Sequence, residues 1–374
     1  MKKALLLFTE ISDKGGIEVF SKYFLDFVIK CVKNTNLNIV LVNNKKPPKI
    51  KNYYKKINFL CCGSQYKLIR KIKFAFFFLK ILIFEKPNYI ISNHISLLRL
   101  LYYFRKIFKI NYGFIGYGIE VWDLDNINKE IVRNAKVIAT FSDYTATKIK
   151  EQINSKYTYI LFPPLIKENK FFIKPKNKKL IKKYKLEGKK IILTVARLAS
   201  TEKYKGYDKV IKALPKIIKK VPNIKYLIVG EGDDLLRLKN LVKNLDLEDY
   251  IIFCGFIPNK NLVDYYNLCD VFVMPSKGEG FGIVFLEALA CGKPVIAGNK
   301  DGSCDALLNG KLGVLIDPDN IKEIENAIIM VLNKEISKEL LDSNYLRKKV
   351  IEVYGTNKFK ERTRKFIKMV EYGL

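Results

Sequence analysis

Two glutamates stand eight positions apart in the stretch KGEGFGIVFLEAL, residues 277–289. Glu279 lies among three glycines, whereas Glu287 lies inside an apolar run that predicts a helix over 282–291. A carboxylate is costly to bury in such a run unless a partner holds it. Carboxylate oxygens accept hydrogen bonds from hydroxyl groups, so Glu287 suits the adjacent hydroxyls of a ribose. The alternative for Glu287 is a salt bridge with a nearby lysine.

Two cations occupy positions that suit a diphosphate. In VARLASTEKYKG, residues 195–206, Arg197 ends a strand of buried type and Lys205 directly precedes a glycine and a helix. Arginine offers a planar fork of donors and lysine a point charge, so the pair could hold two phosphates. Ordinary surface charge is the alternative in a chain so rich in lysine.

Glycines follow several predicted strands, at the end of a parallel sheet where ligands bind. These glycines are Gly15 and Gly16 before a helix, Gly230 and Gly232 around Glu231, Gly278 to Gly282, and Gly302. Glycine lets the main chain approach a ligand, and a helix N-terminus favours phosphate. One such loop is equally an ordinary turn, but three in the C-terminal half favour a phosphate-binding cleft. The sequence has no GxGxxG string, so a redox dinucleotide site is not indicated.

The elements that must position these residues alternate between strands and helices, which predicts parallel sheets covered by helices. Strands are predicted at 3–8, 37–42, 89–93, 110–116 and 136–142, and again at 190–198, 224–230, 250–256, 271–276, 293–298 and 313–318. A segment rich in Pro, Asn and Lys, 163–178, is typical of a linker. We therefore expect domains at 1–165 and 175–355, with a C-terminal helix at 356–374 that packs back on the N-terminal domain.

The composition indicates a folded and strongly basic protein. The chain has 374 residues, 49% of them hydrophobic, and 68 Lys and Arg against 37 Asp and Glu give a net charge of +31. Such a surface attracts polyanions, which include nucleic acid, anionic membranes and phosphorylated substrates, although compositional drift is an alternative. Seven cysteines without disulfide-like spacing indicate reduced thiols, and no apolar run is long enough to span a bilayer. A cytoplasmic protein is expected.

Residues 67–86, KLIRKIKFAFFFLKILIFEK, interleave cations and aromatic residues. A basic amphipathic helix of this kind suits the anionic inner face of a membrane. A helix with one face in the core and solvated lysines on the other is the alternative.

The stretch EGFGIVFLE resembles the E-x7-E motif of retaining glycosyltransferases with the GT-B fold, in particular the large group-4 family, glycosyl transferases group 1. The surrounding residues resemble that family in the same order: VARL…KG (195–206), IVGEG (228–232), GFIP…CDVFVMPS (255–276) and ALACGKPVIAG (288–298). In the N-terminal half the resemblance rests on GGIE (15–18) and GYGIEVWDL (116–124). It implies an α/β architecture of two Rossmann-like domains whose parallel sheets face each other across a cleft.

The resemblance also implies roles for individual residues. Arg197 and Lys205 would bind the diphosphate of the donor and stabilise it as it leaves, Glu279 would bind the transferred sugar, and Glu287 would hold the nucleotide ribose. The remaining donor-binding positions are Gly16, Gly230, Glu231, Gly280, Phe281, Gly282 and Ile283. Enzymes of this fold use arginine and lysine where another fold uses a metal ion, so no metal and no cofactor is expected. The strings Asp123-Leu124-Asp125 and Asp317-Pro318-Asp319 mimic a metal-binding DxD but lie at unsuitable positions.

One departure from the family lies in the N-terminal half. Many relatives carry a histidine at the position of Tyr117, in the string Tyr117-Gly118-Ile119-Glu120, and tyrosine is a poor base at neutral pH. The role of that histidine is therefore open here. His94, the single histidine, follows a predicted strand, where it either contacts substrate or forms a structural hydrogen bond. We expect His94, Tyr117 and Glu120 on the acceptor side.

The predicted function is retaining transfer of a hexose-type sugar from a nucleotide diphosphate sugar to a hydroxyl of a glycan or lipid-linked acceptor, in bacterial surface polysaccharide synthesis. An alternative is another nucleotide-sugar enzyme of this fold, such as an epimerase or hydrolase, although a single histidine offers little acid–base chemistry. The other alternative, a basic nucleic-acid-binding protein, rests on charge alone. The sequence contains no helix-turn-helix, zinc or RRM-type signature, so no nucleic-acid partner is expected.

Overall fold

The structure is a computed structural model that describes residues 2–12, 15–32, 34–48, 57–153 and 157–373. It divides into two compact units, one formed by Met1–Leu165 together with Asn357–Leu374 and the other by Ile166–Thr356. Each unit contains a parallel sheet with helices, which confirms the predicted α/β class with two Rossmann-like units. No helix in the described ranges is long and apolar enough to span a membrane.

The first unit contains a seven-stranded sheet. Its strands are β1 (Lys2–Phe8), β2 (Thr35–Leu41), β3 (Ile57–Cys61), β4 (Tyr89–Ser92), β5 (Asn111–Gly116), β6 (Val137–Thr140) and β7 (Tyr159–Leu161). They pair in parallel in the order β3-β2-β1-β4-β5-β6-β7. The strand order reverses between β1 and β4, and ligands of such sheets bind beyond the carboxyl ends of the strands at this point.

Helices cover both faces of this sheet. They are α1 (Gly16–Cys31), α2 (Lys67–Lys80), α3 (Arg99–Phe104), α4 (Asn126–Asn134) and α5 (Asp143–Ile153), and a π-helical turn, Ile81–Glu85, extends α2. Leu5 and Leu7 of β1 share a core cluster with Phe78 of α2. Phe8 points the other way, because side chains alternate along a strand, and its ring contacts Phe24 of α1 at 6.3 Å between centroids.

The second unit contains a six-stranded sheet. Its strands are β8 (Lys190–Val195), β9 (Ile224–Val229), β10 (Ile251–Gly255), β11 (Val271–Met274), β12 (Val295–Gly298) and β13 (Val314–Ile316). All pairings are parallel, in the order β10-β9-β8-β11-β12-β13. The reversal lies between β8 and β11, so the loops that follow these two strands meet at the ligand-binding edge of the sheet.

The helices of the second unit are α6 (Lys178–Tyr184), α7 (Tyr207–Lys220), α8 (Leu235–Asn244), α9 (Leu262–Leu268), α10 (Ile283–Ala290), α11 (Ser303–Ala306), α12 (Ile321–Leu332), α13 (Lys338–Leu341) and α14 (Ser343–Tyr354), with a 3₁₀ helix at Ser200–Lys205. The last helix, α15 (Thr356–Tyr372), belongs to the first unit from Asn357 onward. Its Phe359 and Phe366 contact the ring of Phe162, at 5.1 and 6.0 Å between centroids.

Two sequence expectations differ from the structure. The segment 163–178 is no free linker, because the Phe171 ring is buried against Tyr266 and the Asn267 amide donates a hydrogen bond to the carbonyl of Phe172. The sequence pattern also does not predict β3 or β7. Both are edge strands that are only partly buried, so they lack the strong apolar pattern that marks the central strands.

Candidate functional site

The loop between β11 and α10 carries Glu279 and turns on glycines. Gly282 precedes α10 with a φ of 87°, and a side chain there would collide with the ring of Phe285. Gly278 lies against Tyr204, whose ring carbon would be 2.9 Å from a Cβ at that position. The turn that places Glu279 at the carboxyl end of β11 therefore requires glycine on both sides of the acid.

Lys205 lies between two carboxylates at this edge of the sheet. Its Nζ is 2.7 Å from Oε2 of Glu202 and 3.9 Å from Oε1 of Glu279, and all three side chains are largely buried. Arg197 forms an ion pair with the same Glu202, but its side chain is mostly exposed. The structure thus brings the predicted residues Arg197, Lys205 and Glu279 together through Glu202, which the sequence analysis does not single out.

The ionisation of Glu279 depends on this neighbourhood. Burial raises the pKa of Glu279, and the positive charge of Lys205 opposes that rise. Asp301 and Glu202 raise the pKa further because they add negative charge nearby, and Arg197 again lowers it. Lys205 therefore favours the charged form of Glu279, which accepts hydrogen bonds from hydroxyl groups, whereas burial and the neighbouring acids disfavour that form.

Glu287 lies in α10 and accepts a hydrogen bond from a buried tyrosine. The phenolic oxygen of Tyr266, in α9, is 2.7 Å from Oε2 of Glu287. Burial raises the pKa of Glu287 to about 7, and the hydrogen bond from Tyr266 opposes the rise. Among the described residues Glu287 forms no salt bridge, and its hydrogen-bond partner is Tyr266, while the charge of Lys170 makes a smaller contribution that also lowers its pKa.

The loops after β8 and β9 touch main chain to main chain. Gly230 has a φ of 138°, and a Cβ there would lie 1.8 Å from the carbonyl oxygen of Ala196. The carbonyl of Glu231 accepts a hydrogen bond from the amide of Leu198 at 3.0 Å. Gly230 and Glu231 are therefore fixed beside Arg197, the residue between those two contacts.

The predicted positions around Glu279 differ in what they can offer a ligand. Phe281 is buried, with its ring 5.5 Å from that of Tyr354, so a ligand contact there comes from the main chain. Gly280 packs its carbonyl against Gly302, and Ile283 is half-buried at the start of α10.

Asp301 is a site residue that the sequence analysis does not identify. Its Oδ2 accepts hydrogen bonds from the amide of Glu279 and from Oγ of Ser276, both at 2.8 Å. The only signal in the sequence is an acid directly before Gly302, in the loop after β12. Such a signal is weak, because acids are common in loops at strand ends.

The two DxD-like strings are engaged within the protein. Asp319 forms ion pairs with Lys209 and Lys277 at 2.7 and 2.8 Å and with Lys300 at 3.2 Å, and these lysines hold its pKa below the usual range. Asp125 caps α4 and forms an ion pair with Arg99. Within the described parts of the chain, no three His, Cys, Asp or Glu side chains are grouped as metal ligands would be.

His94 follows β4 in the first unit. Its Nδ1 accepts a hydrogen bond from the amide of Ser96 at 3.2 Å, which requires a lone pair on that nitrogen. Burial lowers the pKa of His94, and the charge of Glu120 opposes this. The neutral ring therefore carries its hydrogen on Nε2, where it can act as a donor.

The remaining predicted residues of the first unit divide into exposed and buried positions. Gly16 is the exposed first residue of α1. Glu120 accepts hydrogen bonds from the amides of Tyr117 and Gly118 with Oε1, so it stabilises its own turn. Tyr117 is only 4% exposed and its ring packs against Phe20 at 5.8 Å, which places this side chain in the core.

The fold of the chain is similar to that of solved structures. A sucrose-phosphate synthase from Thermosynechococcus elongatus superimposes with a TM-score of 0.77 at 19% identity over 99% of both chains. The Anabaena protein HepE in complex with UDP-glucose superimposes with a TM-score of 0.74 at 18% identity, over 97% of this chain and 99% of that one. The fold is that of GT-B glycosyltransferases, as the sequence resemblance implies.

Residues 175–348 match the family described as Glycosyl transferases group 1. A GDP-mannose-dependent alpha-(1-6)-phosphatidylinositol monomannoside mannosyltransferase from Mycolicibacterium smegmatis is 30% identical over 208 residues, which is 54% of each chain. The alignment thus spans about half the length of this curated relative.

Proposed function

We propose that the protein is a retaining glycosyltransferase that moves a hexose-type sugar from a nucleotide diphosphate sugar to a hydroxyl of a glycan or lipid-linked acceptor. The observation that carries this proposal is the position of Lys205, between Glu202 and Glu279 at the carboxyl ends of β8 and β11. A diphosphate needs cations and a sugar needs hydroxyl acceptors, and both kinds of group meet at this point.

The donor would bind across the second unit. Arg197 and Lys205 neutralise the diphosphate, Glu279 accepts hydrogen bonds from the sugar, and Glu287 accepts them from the ribose. From Gly282, the five residues to Glu287 rise about 7.5 Å along α10, so the two acids reach different parts of an extended ligand. Glu202, which now pairs with both cations, leaves them as the diphosphate takes its place.

The reaction needs no side-chain nucleophile. The acceptor oxygen attacks the anomeric carbon from the face of the leaving group, the bond from that carbon to the diphosphate breaks, and the diphosphate takes the proton of the acceptor. Negative charge grows on the leaving oxygen, and Arg197 and Lys205 stabilise it. We propose that these cations replace a metal ion and that the enzyme needs no cofactor.

The names of relatives support a hexose donor. One relative is named a GDP-mannose-dependent mannosyltransferase and one solved structure holds UDP-glucose, so these two compounds are the first donors to test. On the acceptor side we propose His94, whose Nε2 hydrogen can bind a sugar hydroxyl, and Glu120 with a lesser role. Tyr117 would act by packing, because its side chain is buried.

Calorimetric titration with UDP, GDP, UDP-glucose and GDP-mannose tests the proposal. We expect one nucleotide series to bind and Lys205→Ala to abolish measurable binding. Lys349→Ala is the matched control, because it removes a lysine whose ion pair with Glu352 lies on α14. Absence of binding by all four compounds to the wild-type protein would contradict the proposal.

Product analysis separates the remaining alternatives. Proton NMR of the product gives the anomeric configuration, and an inverted product would exclude the retaining mechanism. Loss of activity on treatment with EDTA would contradict metal independence. An epimerase would return an altered nucleotide sugar without an acceptor, and a hydrolase would release free sugar at the same rate with and without one.

We further propose that the protein works at the anionic inner face of the bacterial membrane, in surface polysaccharide synthesis, and contacts it through α2. Leu68, Ile72 and Phe76 recur every fourth residue and so share one face of the helix, and they are 69%, 60% and 60% exposed. The opposite face packs Phe74 and Phe78 into the core. The outward face is therefore apolar, where a helix that only covers a core would be polar.

The helix that carries this apolar face is rich in cations. The segment Lys67–Lys80 carries Lys67, Arg70, Lys71, Lys73 and Lys80 and no acid. Each inserted Leu, Ile or Phe contributes about 1.5–3 kcal/mol if it becomes fully buried, and each Lys or Arg near an anionic surface about 1 kcal/mol. Per residue, insertion is thus the larger contribution, and the charges select anionic lipid.

Sedimentation with vesicles tests the membrane contact. We expect binding to phosphatidylcholine vesicles that contain phosphatidylglycerol, weaker binding when Lys67, Arg70, Lys71 and Lys73 are neutralised, and loss of binding in Ile72→Ser/Phe76→Ser. Leu236→Ser is the matched control, because Leu236 is equally exposed on α8 of the other unit. Unchanged binding in the two α2 variants would contradict the proposal.

A further inference from the structure

We propose that Asp301 is the positioning residue that fixes Glu279 for sugar binding, an inference that rests on the function proposed above for Glu279. Asp301 lies in the loop after β12 and is only 2% exposed. A carboxylate so deeply buried is costly unless hydrogen bonds replace the water that it has lost. The donors that bind Asp301 therefore indicate what this acid is for.

These donors come from the glycine-rich loop and from the loop of Asp301 itself. Oδ2 accepts hydrogen bonds from the amide of Glu279 and from Oγ of Ser276, at 2.8 Å each. Oδ1 accepts one from the amide of Ser303 at 2.9 Å. The next residue, Gly302, donates its amide to the carbonyl of Glu279 at 2.9 Å. Two consecutive residues thus hold both main-chain polar groups of Glu279.

The same contact is close enough to exclude a side chain. A Cβ on Gly302 would lie 2.2 Å from the carbonyl oxygen of Gly280. The two loops therefore meet main chain to main chain, and a shift of either one moves the other. The main chain of Glu279 sets the direction of its carboxylate, which stands 3.9 Å from Lys205. Displacements of about 1 Å in such a site are enough to lower a rate substantially.

Asp301 acts through Glu279 and not on the substrate, because it is buried and both of its oxygens accept hydrogen bonds inside the protein. The groups proposed for the nucleotide are held differently: Glu287 by Tyr266 and Arg197 by the loop next to Gly230. Loss of Asp301 should therefore affect the sugar and the transfer step while the nucleotide diphosphate still binds. A residue that merely stabilises the fold would not separate these two effects.

Asp301→Asn tests this separation, because asparagine keeps the shape but replaces one acceptor oxygen with a donor. The probes are UDP and GDP, titrated beside UDP-glucose and GDP-mannose, with kcat and KM for sugar release to water. We expect the Kd of the diphosphate to change less than about twofold and kcat to fall about 10- to 100-fold, the effect of losing a hydrogen bond to a charged group. Asp319→Asn is the control, because it breaks ion pairs of Lys277 in the same loop but none with Glu279.

Equal weakening of diphosphate and nucleotide sugar in Asp301→Asn would overturn the inference, since it would mark a general structural role. Should this variant fail to fold, Gly302→Ala disturbs the same contact without a change of charge, and the same split is expected. If the wild-type protein binds none of the four probes, the proposed function fails. Hydrogen exchange of residues 277–282 then tests the role of Asp301 separately. Unchanged protection of these amides in Asp301→Asn would show that Asp301 does not hold the loop.

Discussion

Tyr266 donates a hydrogen bond to Oε2 of Glu287 across 2.7 Å, from α9 to α10. Tyr266 is fully buried, whereas Glu287 is half-buried. Burial raises the pKa of Glu287 to about 7, and the tyrosine opposes that rise. Glu287, which we propose binds the ribose, therefore changes its charge near neutral pH. The hydroxyl group of Tyr266 affects the pH at which this change occurs.

The first prediction concerns pH. The affinity for the nucleotide sugar should fall as the pH drops through about 7, because protonation removes the charge with which Glu287 accepts ribose hydroxyls. Titration with UDP-glucose or GDP-mannose is preferable to the free diphosphate, whose own terminal phosphate titrates in this range. Glu287→Gln should bind weakly at every pH, and an unchanged pH dependence in that variant would assign the effect to another group.

Tyr266→Phe should move this pH dependence upward. The variant removes a hydrogen bond that favours the charged form of Glu287, and such bonds contribute about 1.5–3 kcal/mol, or roughly one to two pH units. The pH dependence of Kd is the measurement. Tyr265→Phe is the matched control, because the Tyr265 hydroxyl bonds to that of Tyr184, 2.9 Å away. A shift of equal size in both variants would contradict this role of Tyr266.

The charged form of Glu287 should also destabilise the folded protein. Its pKa in the folded protein lies above the ordinary value of 4.5, so the folded state binds the proton more tightly than the unfolded state. Its favourable contribution is complete below 4.5, declines as the pH rises and is lost above about 7. Glu287→Gln should therefore raise the Tm at pH 8 and leave it unchanged at pH 4. Equal Tm shifts at the two pH values would refute the prediction.

Arg197 and Lys205 should respond differently to removal. Arg197→Ala should leave the Tm nearly unchanged, because the side chain is mostly exposed, yet lower kcat about 100- to 1000-fold if it stabilises the leaving diphosphate. Lys205→Ala should lower both, because the buried Glu279 would lose the lysine whose charge opposes its own. Thermal denaturation and initial rates check this contrast. A loss of folding in Arg197→Ala would instead make that residue structural.

Gly230→Ala should destabilise the second unit. The added Cβ would lie 1.8 Å from the carbonyl of Ala196 at a φ of 138°, so two loops must separate, at a cost of about 2 kcal/mol or more. Gly188→Ala is the control, because Gly188 also has a positive φ, 63°, but no atom stands within 4 Å of the new Cβ. An equal loss of stability in both variants, measured by urea denaturation, would show that backbone strain causes the effect and that the contact with Ala196 does not.

The central strands could be predicted from the sequence because they are buried on both faces and read as continuous apolar runs. Thus 3–8 and 271–276 are strands β1 and β11, with ends shifted by one or two residues. The sequence pattern does not predict the edge strand β3, because this strand is only partly buried and lacks a continuous apolar run. Proline and lysine dominate the segment around Phe171, so the sequence predicts a linker there, whereas in the structure Phe171 packs against Tyr266 and the carbonyl of Phe172 accepts a hydrogen bond from Asn267.

The sequence by itself determined the class of fold and the glycine loops at strand ends, and it predicts Arg197, Lys205, Glu279 and Glu287 as candidate site residues, because these depend on residue type and local spacing. The tertiary structure alone decided which groups hold them. Asp301 reaches the amide of Glu279 from a loop 22 residues away, and Tyr266 reaches Glu287 from another helix. Such pairs follow from strand order and helix packing, and no local pattern encodes them.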